Sequence, residues 1–115
     1  LLMKSKIKFG YIQPGGSSVT DPIEEKNYKT YYANFKKGDE VLDFNNKNLA
    51  IKIDVEGHEF KVLNGMINTL KVNKCILLIE IFKENFEKIN TFLIKNNFSL
   101  IDKVEKRFNY FYRNF

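Results

Sequence analysis

Three carboxylates, an imidazole and an ammonium crowd into Ile51-Lys52-Ile53-Asp54-Val55-Glu56-Gly57-His58-Glu59. Carboxylates this close can take a proton from a reacting hydroxyl as general base, or accept hydrogen bonds from a hydroxylated substrate. Oxygen ligands with His58 could also hold a divalent cation, but spacing in sequence fixes no coordination geometry, and no metal is assigned. Gly57 permits a tight turn or the close approach of a ligand. Plainer readings stand beside these. Glu56 and Glu59 fall where a helix would start, and a helix dipole favours acids there; His58 can equally be a surface residue. Lys52 interrupts an apolar strand, so a buried Lys52–Asp54 or Lys52–Glu80 pair is expected, since a buried charge needs a partner.

Elements of a recognisable order position these residues. Residues 49–55 form a short apolar strand ending in acids. Val62, Leu63, Met66 and Leu70 then recur at helical spacing, predicting an amphipathic helix over 56–70. Residues 75–82 are almost continuously apolar, as in a strand covered on both faces of a parallel sheet. A second helix follows over 84–95, with Phe86, Ile89, Phe92 and Leu93 on one face and acids in its first turn. Asn96-Asn97 can stop it in the left-handed conformation. Residues 98–104 and 108–113 flank Glu105-Lys106-Arg107 as a β-hairpin. The order is β-α-β-α-β-β, an α/β class. In such sheets ligands bind beyond the carboxyl ends of the strands, where Asp54 and Glu56 sit and where Glu80 ends the next strand.

The first 48 residues say less. Residues 4–12 alternate polar and apolar as a strand, and Pro14-Gly15-Gly16-Ser17-Ser18 breaks it into a loop. The Gly-Gly-Ser-Ser turn offers backbone donors in the manner of an anion nest. Residues 21–34 show no period, with room for a short strand over 29–35. Lys37-Gly38-Asp39 marks a turn, and 40–44 begin a short helix or strand. A single domain is expected over 1–115: a loop-rich lead-in over 1–48 and the β-α-β-α-β-β core over 49–115.

Composition narrows the function classes. Nineteen Lys and Arg against fourteen Asp and Glu give a formal charge of +5. The lysines alternate with Asn, Asp and Glu and form no basic block, and no nucleic-acid motif is present. No apolar run nears the roughly 18 residues of a membrane span, and no secretory signal is visible, so the cytoplasm is the expected compartment. The lone Cys75 lies in an apolar run and is expected in the core. Leu1 in place of an initiating Met indicates a fragment or a start at Met3.

The motif from Ile51 to Glu59, continuing through Val62-Leu63-Asn64-Gly65 and Leu77-Leu78-Ile79-Glu80-Ile81, closely resembles the FkbM family of S-adenosylmethionine-dependent methyltransferases. Gly15-Gly16-Ser17-Ser18 and Leu42-Asp43 are similar to further features of that family. The resemblance covers most of the chain. It implies the C-terminal half of a Rossmann-like methyltransferase sheet, with parallel strands, crossover helices and a closing antiparallel β-hairpin. It also implies methyl transfer to a hydroxyl, often on a sugar or other secondary metabolite. Asp54 would end the fourth strand and Glu80 the fifth. Asp54 and Glu56 are accordingly assigned as catalytic, and His58, Glu59, Glu80, Ser17 and Ser18 as acceptor-binding. The chain departs from the family where a Gly-rich loop would hold the cofactor, because no Gly-x-Gly-x-Gly occurs. The first three strands are therefore expected to be absent, leaving an open strand edge. A missing N-terminal half, or self-association of a non-catalytic module through that edge, would then be the partner.

Overall fold

A computed structural model describes residues 3–10, 17–19 and 28–115. The chain divides into two compact units, Leu1–Lys36 and Lys37–Phe115. The first holds an antiparallel sheet of strands β1 (Met3–Gly10), β2 (Ser17–Val19) and β3 (Tyr28–Phe35), in the order β2-β1-β3. The strand expected over 4–12 is met by β1 as far as Gly10, residues 11 and 12 lying outside the described residues, and β3 is one residue longer than the 29–35 stretch allowed for it. Gly15-Gly16 lie outside the described residues.

The second unit is the mixed α/β body. Its sheet has the order β4-β5-β7-β6, built from β4 (Asn48–Ile53), β5 (Lys74–Glu80), β6 (Ser99–Val104) and β7 (Asn109–Arg113). Strands β4 and β5 are parallel, and β7 runs antiparallel between β5 and β6. A short α1 (Gly38–Val41) precedes the sheet, α2 (Glu59–Gly65) and α3 (Ile67–Lys71) cross from β4 to β5, and α4 (Phe86–Lys95) links β5 to β6. The core lies between one sheet face and these helices: Ile53, Cys75, Leu77, Ile79 and Tyr112 from the strands meet Leu63, Leu70, Ile89 and Leu93 from the helices. Cys75 is fully buried, which pushes its thiol pKa up. Tyr112 is likewise buried, and its hydroxyl donates to Asn90 Oδ1 at 2.8 Å, tying β7 to α4.

Three expectations need correction. Strand β5 is not covered on both faces: Cys75, Leu77 and Ile79 are buried, whereas Ile76 on the opposite face is 40% exposed. The apolar run has strand character, but only alternate residues reach the core. Second, the helix over 56–70 begins three residues later and breaks at Met66 (φ −125°). The break has a distant cause. Asp39 accepts hydrogen bonds from the Asn68 N–H (3.1 Å), the Thr69 N–H (2.8 Å) and the Thr69 hydroxyl (2.8 Å), so its carboxylate caps a new helix start. Burial works to raise the Asp39 pKa, but these hydrogen bonds outweigh it and hold the group below its ordinary 3.8. Gly38 permits the approach, since a Cβ there would stand 2.6 Å from the Met66 Cβ. Third, Lys52 is exposed, as described below.

The end of α4 follows expectation. Asn97 takes φ 66°, the Phe98 N–H donates to the Leu93 carbonyl (3.0 Å) and the Asn97 N–H to that of Ile94 (3.1 Å). That is a Schellman closure with Asn in the position glycine usually fills. No helix among the described residues is long and apolar enough to cross a membrane.

Candidate functional site

Parallel pairing sets β4 and β5 in register, with Lys52 beside Leu78 and Ile53 beside Ile79. One residue further, Asp54 comes next to Glu80 at the carboxyl ends of both strands. Asp54 and Glu56 are exposed and Glu80 is half-buried. Burial raises the Glu80 pKa above its ordinary 4.5, and so do the Asp54 charge, a hydrogen bond to Asp54 and the Glu56 charge; Lys52 opposes them. A hydrogen bond between two carboxyl groups needs a proton on one of them, and the raised pKa means that Glu80 holds a proton more readily than a free glutamic acid does. Lys52 Nζ also donates to Asp54 Oδ2, at 3.2 Å. The expected Lys52–Asp54 pair thus exists but is not buried: the two side chains are 64% and 36% exposed, which limits its worth to about 0–1 kcal/mol.

The backbone between strand and helix is unusual. The His58 N–H donates to the Val55 carbonyl (3.2 Å), closing a turn whose central residues Glu56 (φ 49°) and Gly57 (φ 98°) are both left-handed. A Cβ on Gly57 would meet nothing within 4 Å, so conformation rather than space calls for glycine there. Glutamate at position 56 carries a cost, because a Cβ in this region crowds the following carbonyl by about 1–2 kcal/mol. Glu56→Gly is expected to raise stability by about 0.5–1 kcal/mol in urea unfolding while removing the carboxylate. A loss of stability instead would mean that Glu56 makes contacts worth more than its strain. Strained residues of this kind collect at functional sites.

His58 is half-buried, and its carbonyl accepts the Val62 N–H (3.1 Å) that opens α2. Glu59 turns inward, 2% exposed, and its Oε1 accepts the Gly57 N–H at 3.0 Å. The structure thus brings Asp54, Glu56 and Glu80 into mutual electrostatic range, with His58 and Glu59 on the flanking turn. Ser17 and Ser18 belong to the other unit, where they pair with Phe9 and Lys8 of β1.

Asn109, which sequence reasoning passed over, stands directly opposite Glu80 in the β5–β7 ladder and is half-buried. Only the insertion of β7 beside β5 brings it there, and no local pattern announces that topology. The burial of Glu59 did have a signal: residues 59, 63, 66 and 70 form one helical stripe, and the other three are Leu63, Met66 and Leu70. Among the described residues no group of three or more His, Cys, Asp or Glu side chains is placed to hold a metal ion.

The chain matches the family model described as the methyltransferase FkbM domain over residues 12–110. No curated protein and no solved structure matches it.

Proposed function

Because the chain belongs to the FkbM methyltransferase domain family, we propose that it serves S-adenosylmethionine-dependent methylation of a hydroxyl on a sugar or another hydroxylated metabolite. The observation that carries this reading is the hydrogen-bonded Asp54–Glu80 pair at the carboxyl ends of two parallel strands. The parallel β4–β5 pair, its helices and the antiparallel β7–β6 edge are what the later half of a Rossmann-like methyltransferase sheet would supply.

The acids at the junction complement a cationic sulfonium. The sequence offers no Gly-x-Gly-x-Gly loop for the nucleoside, and no residue is assigned to hold it. When bound, S-adenosylmethionine supplies an electrophilic methyl group. The residues of this chain manage the proton. Asp54, exposed at the end of its strand, is the base: the acceptor hydroxyl passes its proton to this carboxylate as its oxygen bonds to the methyl carbon and the carbon–sulfur bond breaks. Glu80, hydrogen-bonded to Asp54, orients it. Glu56, held out on the strained turn, accepts a second hydroxyl of the acceptor, beside His58.

Incubation with methyl-labelled S-adenosylmethionine and a panel of free and nucleotide-linked sugars tests the proposal. Label in a sugar ether is the expected result. The absence of both transfer and cofactor binding by calorimetry would count against it.

One observation favours a second reading, a non-catalytic module. Strand β4 pairs only with β5 among the described residues, so one edge of this sheet has no strand partner there. Light scattering separates the two, since a stable monomer sinks self-association through that edge.

A further inference from the structure

A buried carboxylate in a hydrophobic stripe is an expensive choice, and Glu59 is one. It is 2% exposed and shares its helix face with Leu63, Met66 and Leu70. Its Oε2 is buried with no hydrogen-bond partner among the described residues. A Leu or Met at this place would fill the core without that desolvation cost. What the carboxylate does provide is one hydrogen bond, from Oε1 to the Gly57 N–H at 3.0 Å. Gly57 is the second of the two left-handed residues, and Glu56 before it is the strained one. The bond therefore fastens the strained turn to the first turn of α2, whose Leu63 is fully buried.

We propose that Glu59 is a positioning residue. It locks the Glu56–Gly57 turn in its left-handed shape and so sets where the Glu56 and Asp54 carboxylates stand relative to Glu80. The chain holds the exposed acids with a buried one: Glu56 faces the acceptor because Glu59, three residues on, anchors the backbone behind it. The inference rests on the reading of Asp54 and Glu56 as the groups that meet the acceptor, but the lock itself is a separate physical claim.

Amide exchange measured by NMR on the full chain decides it, with the β5 amides of Leu77 and Ile79 as internal reference. In Glu59→Ala the Gly57 amide is expected to exchange about tenfold faster relative to that reference, the equivalent of one lost hydrogen bond. Glu59→Gln retains an acceptor oxygen and should restore Gly57 protection to near the wild-type ratio. Unchanged Gly57 exchange in Glu59→Ala would overturn the lock. So would an equal acceleration at Leu77 and Ile79, which would show only a loosened core. Should Glu59→Ala not fold, Glu59→Gln alone decides: a protected Gly57 upholds the lock, and a wild-type fold with Gly57 released removes it. In the labelled-methyl assay the lock predicts a fall in kcat for Glu59→Ala that Glu59→Gln recovers. If the wild-type chain transfers no methyl group, the proposed function fails while the Gly57 measurement still settles the role of Glu59.

Discussion

Asp54→Asn is expected to lower methyl transfer by about 10²–10⁴-fold, the range lost with a general base, while the fold stays close to its original stability. The two halves of that expectation have different origins. Asparagine keeps the size and hydrogen-bonding reach of the side chain but cannot take up the acceptor proton at neutral pH. Structurally, Asp54 loses an exposed ion pair with Lys52 at 3.2 Å, worth about 0–1 kcal/mol, and the amide keeps an oxygen for the hydrogen bond with Glu80. Activity and stability should therefore separate. Turnover near the original, with the acceptor at saturation, would show that the carboxylate is structural and would move the base to Glu56.

The same substitution has a signature that needs no substrate. Burial is the largest cause of the raised Glu80 pKa, and the charge and hydrogen bond of Asp54 come next. Removing the Asp54 charge should bring the Glu80 titration, followed by NMR at its carboxyl carbon, part of the way back toward 4.5 and leave the burial contribution in place. An unchanged Glu80 titration would break the pair that the mechanism uses. The stability consequence has a definite sign. Between 4.5 and the raised native value, the folded chain binds more proton at Glu80 than the unfolded chain does. This contribution is fully present below 4.5 and is lost as pH rises through the native pKa. Asp39 works in the opposite window. Its depressed pKa gives stability above 3.8 that is lost as pH falls through the native value.

Local pattern made some of this molecule legible and long-range geometry concealed the rest. The strand at β5, the helix at α4, the left-handed Asn97 and the closing hairpin follow from apolar runs and turn chemistry within a few residues. The adjacency of Asp54 and Glu80 was also readable, since a parallel crossover puts the ends of two strands side by side. What escaped has remote causes. The break between α2 and α3 is fixed by Asp39, about thirty residues before the N–H groups it caps. The exposure of Ile76 depends on which sheet face is covered, and an apolar strand does not encode that. The turn itself was half visible: Gly57 announced a reversal, but nothing local foretold that Glu56 would share its left-handed backbone. Neither the acceptor-binding role nor the helix-start reading given to Glu59 anticipates its burial although its stripe is plain, because carboxylates are seldom fully buried.

The largest stability loss is expected far from the acids, at the amino ends of β4 and β5. Asn73 is 5% exposed and satisfies its whole side chain: Nδ2 donates to the Phe44 and Thr69 carbonyls, each at 2.7 Å, and Oδ1 accepts the Lys47 N–H at 2.8 Å. It joins the approach to β4, the body of α3 and the start of β5. Asn114 completes the stitch, donating to the Leu70 and Asn73 carbonyls (3.0 and 2.9 Å) and accepting the Cys75 N–H at 2.8 Å. Asn73→Ala would leave the Lys47 N–H and two carbonyls without this partner, the Thr69 carbonyl in a buried setting and the other two groups part-buried, and a loss of about 2–4 kcal/mol is expected in urea unfolding. Asn73→Asp should be no better: a carboxylate oxygen in place of the amide nitrogen would face two carbonyl oxygens with no donor between them. Because both asparagines act on one junction, Asn73→Ala and Asn114→Ala should not be additive, the double variant losing less than the sum. An Asn73→Ala loss under about 0.5 kcal/mol would show that the network is dispensable. Methyl transfer per folded molecule should be unaffected, since these bonds close the end of the sheet opposite to Asp54 and Glu80.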